Sequence, residues 1–291
     1  MPTAHLDQVD IYYEVIGLEG PFVAVIQGGR HPLGVMKDLP RAIAARGYRV
    51  LMHDRRNCGR SSLNFDSSGS EEDVWVDDLT ALLTNLKIPQ VFMVGQSRGA
   101  RIALQFALRY PEVTRGLLLW GISGGEAVAR VLDNYYYGKY LRACETGGMA
   151  AVCALDHFEG LAAARPENKD WLLSLDPFRF MSVMSGWRTH FLAGVQQPVM
   201  GLSDDQLRGV SVPTAIVPYY DRMHPYATAA HARAMIPGSR LFDFDPTRRG
   251  DRTIATDDAA TVAAIAADFE RSLPPRDASG GSGSSRSMRP S

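Results

Sequence analysis

Val91-Phe-Met-Val-Gly-Gln-Ser-Arg-Gly-Ala-Arg101 is the stretch that decides how this chain folds. Val91–Val94 is a short apolar run and reads as a buried strand. From Arg98 to Tyr110 the pattern turns helical, with Ile102, Ala103, Phe106 and Ala107 on one face. Between the two lies Gly95-Gln96-Ser97-Arg98-Gly99, a Gly-x-Ser-x-Gly turn in strand–turn–helix context. The glycines let the chain reverse sharply and let the helix approach the strand. Such a turn lifts the Ser97 hydroxyl above the sheet edge, at a helix N-terminus. There the Arg98 N–H can donate to a developing oxyanion.

Outward from this turn, strands and helices alternate. Val9–Ile16, Phe22–Ile26 and Tyr48–His53 read as strands, as do Gly116–Ile122, Pro213–Pro218 and Arg240–Phe244. Val74–Leu86 reads as a helix. So does Asp257–Leu273, capped by Asp257 and with Val262, Ile265 and Phe269 inward. The alternation implies an α/β fold, with a mostly parallel sheet flanked by helices. Residues 123–210 contain no strand pattern and carry Tyr135-Tyr-Tyr137, Trp171, Trp187 and Phe191 in helical arrangement. They read as a helical cap inserted into a core made of residues 1–122 and 211–273, and placed over the strand ends where ligands bind. Residues 274–291 are Pro-, Gly- and Ser-rich and read as a disordered tail.

Two further loops join the turn. Ile26-Gln-Gly-Gly-Arg-His31 ends one strand with glycines, and Asp54-Arg-Arg-Asn-Cys-Gly-Arg-Ser-Ser62 ends the next. Together with Gly95–Gly99 they resemble the α/β-hydrolase superfamily: its oxyanion loop, its D-x-R-G-x-G-x-S loop and its nucleophile elbow. The resemblance runs over about residues 9–273. It implies an α/β-hydrolase fold with a helical cap, Ser97 as nucleophile, and an oxyanion hole formed by the Gly29 and Arg98 N–H groups. Asp221, after the Pro213–Pro218 strand, matches the position of the superfamily's acid. Gln27 replaces the usual His of the oxyanion loop, and Asn57-Cys58 interrupts the second loop.

A serine hydroxyl needs a base within hydrogen-bond reach, oriented by a third group. The superfamily takes that histidine from the loop after the last strand. Here the region reads Phe244-Asp-Pro-Thr-Arg-Arg-Gly-Asp-Arg-Thr253, and no histidine follows His231. Three accounts stand open. In the first, another histidine serves. His224 is the leading choice, with Asp221 or Glu126 to orient it. Its loop lies two strands from the elbow, about 10 Å at ordinary strand spacing. His31 is the second choice. His53 and His231 read as structural, and His157 and His190 fall in the cap. In the second account the site runs chemistry without a serine–histidine relay. In the third it binds a ligand without turnover.

Ser97-Arg98-Gly99-Ala100-Arg101 also resembles the elbow of fluoroacetate dehalogenases, with Ser in place of their Asp. That resemblance implies that Arg98 and Arg101 hold a substrate carboxylate, since a guanidinium fork matches two oxygens. The opposing reading makes Arg101, Gln105 and Arg109 a solvent-facing stripe. Gln96 and His31 complete the expected substrate contacts. The expected partner is a small molecule.

Thirty-one Lys+Arg against thirty-two Asp+Glu, a net charge of −1, leave no electrostatic footprint for nucleic acid. Cys58, Cys144 and Cys153 match neither a disulfide framework nor a zinc site. No cofactor and no metal are expected. The N-terminus lacks a signal-peptide layout, and no apolar run approaches the ~20 residues of a membrane span. A cytoplasmic enzyme follows as the expectation, with a homo-oligomer compatible with the sequence.

Overall fold

The computed structural model describes residues 2–7, 9–65, 69–243 and 256–275. Among these, eight strands form one sheet: β1 (Thr3–Leu6), β2 (Val9–Ile16), β3 (Phe22–Ile26), β4 (Arg49–His53), β5 (Val91–Gln96), β6 (Thr114–Trp120), β7 (Thr214–Val217) and β8 (Arg240–Leu241). Their order is β1-β2-β4-β3-β5-β6-β7-β8. The pairs β1–β2 and β2–β4 are antiparallel; all others are parallel. The expected α/β architecture holds, and β1 is an addition that the sequence pattern did not signal. The expected strand over 240–244 is shorter: Arg240 and Leu241 pair with β7, and Phe242 N–H still donates to the Ile216 carbonyl at 2.8 Å. Phe244 lies outside the described residues.

The central strands are apolar on both sides because both sheet faces are covered. Leu117, Leu119, Met93 and Ile216 pack with residues of α2 (Glu71–Asn85), α3 (Arg98–Arg109) and α10 (Tyr226–Met235). Leu118, Trp120, Val94 and Val217 pack with Leu39 and Ile43 of α1 (Asp38–Ala44) and with Val262 and Phe269 of α11 (Thr256–Arg271). Ile265 packs against the same face, completing the expected inner stripe. The Asp257 side chain is outside the described residues. Alternate residues of one strand thus feed opposite cores, as the period-2 geometry of a strand requires.

Between β6 and β7, apart from an isolated bridge between Val199 and Leu202, come helices: α4 (Glu126–Asp133), a π-helical stretch (Asn134–Gly138), α5 (Lys139–Cys153), α6 (Asp156–Ala164), α7 (Glu167–Ser174), α8 (Pro177–Ala193) and α9 (Asp204–Arg208). Most of them share a separate core built on Tyr137, Phe158, Phe180 and Trp187, joined by Phe65 from the core side. Phe65 sits within 5.4 Å of the Phe180 ring centroid and 5.8 Å of Trp187.

Strand register sets the height of the site. Ile26 pairs with Gly95, Gln96 with Trp120, and Trp120 with Val217. β3, β5, β6 and β7 therefore end side by side. The loops that follow them open onto one edge.

Candidate active site

The elbow is tight because of its two glycines. A Cβ on Gly95 would lie 2.4 Å from the Gly99 carbonyl oxygen, and one on Gly99 would lie 2.1 Å from that of Ile26. Any side chain at either position would force α3 away from β3 and β5. Ser97 itself has φ 55° and ψ −116°. Non-glycine residues rarely occupy that region, and holding one there costs about 1–3 kcal/mol. The backbone bond from Ser97 N–H to the Trp120 carbonyl, 2.9 Å, helps to hold it.

The loop after β7 supplies the other two groups. His224 Nε2 lies 2.8 Å from Ser97 Oγ. His224 Nδ1 lies 2.9 and 3.0 Å from the two carboxylate oxygens of Asp221. Asp221 Oδ1 also accepts the N–H groups of Met223 and His224, each at 2.7 Å. Burial pushes the Asp221 carboxyl upward. The bonds from His224 and the two amides outweigh that and hold it below its ordinary value. An ionised Asp221 accepting from Nδ1–H leaves Nε2 free to accept the serine proton. Glu126, the alternative orienting group, instead pairs with Arg130 one turn along α4.

The loop after β3 forms the facing wall. Gln27 Nε2 donates to the carbonyls of His31 (3.2 Å) and His53 (2.9 Å), pinning the loop from within. Gln96 Oε1 accepts the Gly28 N–H at 3.1 Å. Arg55 Nη2 donates to the carbonyl oxygens of Gly28 (3.2 Å) and Gly29 (2.7 Å). In a trans peptide the C=O of one residue and the N–H of the next point opposite ways. With the Gly28 carbonyl turned onto Arg55, the Gly29 N–H faces away from Arg55. The Arg55 guanidinium lies 4.6 Å from the Trp75 ring centroid and is buried. It finds no partner for Nε or Nη1, and burial lowers its pKa from the ordinary value. Nothing in the residue pattern marked Arg55; only its place beneath the loop does.

A cavity of about 310 Å³ joins these walls. Gly28, Gly29, His31, Gln96, Ser97 and His224 reach it, as do apolar Met36, Leu132 and Met223. Gln96 is thus a cavity wall whose side chain also secures the β3 loop. His31 also lines the cavity, and partial burial of its ring together with the nearby Arg55 holds its imidazole below its ordinary pKa.

Arg98 and Arg101 correct the sequence reading. Neither side chain reaches this cavity. Arg98 is 1% exposed and Arg101 2%. Arg98 donates to Glu72 (2.8 Å), Glu71 (2.7 Å) and the Tyr137 hydroxyl (2.9 Å); Arg101 donates to Glu72 (2.9 Å). Arg30 grips Glu71 with two N–H groups at 3.0 and 2.9 Å and the Tyr136 carbonyl with a third at 2.6 Å. The arginines are therefore committed to the acidic pair that opens α2, and the stripe is not solvent-facing at Arg101 either. Burial pushes Glu71 upward, but Arg30 and Arg98 hold its carboxyl down at about 2.

The interrupted loop keeps its shape. Set against D-x-R-G-x-G-x-S, Asn57 stands at the first glycine, and it adopts φ 62°. Asn tolerates the left-handed region better than other side chains. Asp54 Oδ1 and Oδ2 accept the Leu33 and Arg60 N–H groups at 2.6 and 2.8 Å, tying this loop to the one after β3.

The remaining histidines are placed elsewhere. His53 is buried, pushed down to about 3 by burial and by Arg55. His231 pairs with Asp204 at 2.7 Å, joining α10 to α9. His190 meets the Gly186 carbonyl within α8. His157 packs on Tyr140 and Phe158. Among the described residues no cluster of His, Cys, Asp and Glu could hold a metal ion. No helix among them is long and apolar enough to cross a membrane.

A family model described as alpha/beta hydrolase fold matches residues 26–141. The chain is similar to a 2-hydroxymuconate semialdehyde hydrolase from a Pseudomonas species, 40% identical over 80 residues, or 28% of each chain. It is also similar to a proline iminopeptidase from Lactiplantibacillus plantarum, 29% identical over 113 residues, 37% of this chain and 39% of that one. The match therefore spans less than half the length of these curated relatives. Among solved structures, a meta-cleavage product hydrolase from Pseudomonas fluorescens superposes with a TM-score of 0.64 at 18% identity, covering 93% of this chain and 97% of that one. The enol-lactonase of Burkholderia xenovorans gives 0.61 at 16%, covering 92% and 99%. These likenesses establish the fold.

Proposed function

We propose that this chain, a member of the α/β-hydrolase superfamily, is a serine hydrolase that cleaves an ester, a thioester or an activated carbon–carbon bond in a small organic substrate. The observation that carries the reading is the 2.8 Å approach of His224 Nε2 to Ser97 Oγ, with Nδ1 on Asp221. In this account Ser97 Oγ attacks the substrate carbonyl as its proton passes to Nε2. The oxyanion that forms is taken by the Gly29 and Arg98 N–H groups. Collapse expels the leaving group, which receives the proton from Nε2. Water, deprotonated by the same imidazole, then releases the acid. Asp221 holds the imidazole in the required tautomer and stabilises its charged form. Arg55, by fixing the Gly28 carbonyl, keeps the Gly29 N–H aimed at the cavity.

The hydrolase names of the relatives support the reaction class. The cavity's mixed wall suits a small, partly apolar acyl group. The test is short-chain nitrophenyl ester hydrolysis together with fluorophosphonate labelling. Wild type should turn over the esters and carry the label on Ser97, and Ser97→Ala should do neither while remaining folded. A folded wild type that takes no label and hydrolyses none of these esters would favour ligand binding without turnover.

A further inference from the structure

Beside the Ser97 cavity lies a larger cleft of about 650 Å³. His31 and Tyr135 line both, so the two spaces meet at that pair. The cleft runs along one face of β2 and β4, past helix α1 and the loops after β3 and β4, to helices α5 and α6. Arg30 lines it but is spent on Glu71; its other cations come from separate elements, Lys37 and Arg41 at α1, Arg60 from the loop after β4, and Lys139 from α5. Among the described residues, Lys37, Arg41 and Lys139 take part in no ion pair.

Three carboxylates also face the cleft, Glu14, Asp54 and Asp156. Asp54 is 1% exposed, with both oxygens occupied by backbone N–H groups. Glu14 accepts the Tyr12 hydroxyl at 2.7 Å. Asp156 acts electrostatically on Lys139. After those commitments, the excess is of cations drawn from both core and cap. Such convergence costs repulsion in the empty protein and is relieved by a bound anion.

We propose that this cleft binds an anionic group, a carboxylate or a phosphate, carried on the part of the substrate remote from the scissile carbonyl. The inference rests on the reading of Ser97 as nucleophile. It places the carbonyl in the smaller cavity and the anionic end beyond His31 and Tyr135. The carboxylate recognition expected of Arg98 and Arg101 thus passes to a different set of cations.

Two measurements test it. The first compares mono-nitrophenyl esters of dicarboxylic acids, from succinate to suberate, with neutral acyl esters of equal length. At one chain length or more, kcat/KM for the charged ester should exceed the neutral one by about tenfold at low salt, a difference of about 1.4 kcal/mol. The advantage should shrink as ionic strength rises. In the double variant Arg41→Gln, Lys139→Gln the charged-to-neutral ratio should fall to near one, and in Lys169→Gln, on α7, it should stay. A ratio near one in wild type at every length, or a preference that survives the double variant, would overturn the proposal. The second measurement needs no chemistry: calorimetric binding of glutarate and of inorganic phosphate to Ser97→Ala. Binding of either anion, lost when Arg41→Gln and Lys139→Gln are added to Ser97→Ala, supports the cleft and shows which oxyanion it takes. Binding of neither overturns it. Failure of neutral-ester turnover alone would count against the Ser97 reading instead.

Discussion

In the proposed relay Asp221 acts through one imidazole, so its removal is expected to be nearly as costly as removal of the base. Asp221→Asn keeps the shape of the loop but favours the wrong His224 tautomer. It should lower kcat for nitrophenyl esters about 10³–10⁴-fold with little change in KM. Arg55→Met should lower kcat about 10²-fold, again with KM nearly constant, because it frees the Gly28–Gly29 peptide to turn its N–H away from the cavity. A merely structural Arg55 would lower the folded fraction and leave kcat per folded site unchanged. At this scale the sequence was unevenly legible. Ser97 announced itself through a local turn, and Asp221 and His224 through their place after a strand. Arg98 and Arg101 misled because a helical stripe does not reveal what covers it. Glu71 and Glu72 cover it, and they lie 27 and 26 residues away from Arg98 along the chain.

At the scale of elements, the first turn of α2 is the joint between parts. Glu71 meets Arg30 of the β3 loop, Arg98 of α3 and the Tyr137 hydroxyl of the cap. Glu71→Gln leaves buried guanidinium groups short of charge. It should destabilise the fold by about 3–5 kcal/mol in urea unfolding. The sign of its pH dependence follows from the depressed carboxyl. A folded-state value near 2 against 4.5 for the free group gives stability that is complete above 4.5 and lost as pH falls toward 2. His53, at about 3 when folded against 6.5 when free, adds a loss over the window from 6.5 down to 3. Stability should therefore fall steadily with acid from pH 6.5. In Glu71→Gln the loss below pH 4.5 should be shallower, as read by denaturation midpoints. The sequence displayed the strands and helices because both have a clear period. It missed β1, an edge strand of four residues, because so short a run carries too little pattern.

For the whole molecule, the helical segment between β6 and β7 is fastened to the sheet and its flanking helices through polar groups as well as through Phe65. Tyr137→Phe removes the hydroxyl shared by Glu71 and Arg98. It should speed amide hydrogen exchange in the Asn134–Cys153 segment more than in β5 or β6. Trp187→Ala, in the cap core, should cost about 3–5 kcal/mol. The insertion was legible as a long strand-free interval, whereas its contacts with the core were not, since they join residues far apart in sequence. The order β5-β6-β7 places the loop after β7 within reach of the elbow. On this account one loop supplies both acid and base, and none is required beyond β8. The rate at which a fluorophosphonate modifies Ser97, followed by intact-protein mass spectrometry in wild type, His224→Ala and His31→Ala, tests that claim most directly. The expected result is a fall of about 10³-fold or more in His224→Ala, with His31→Ala within about tenfold of wild type. A folded His224→Ala that is modified as fast as wild type would contradict it.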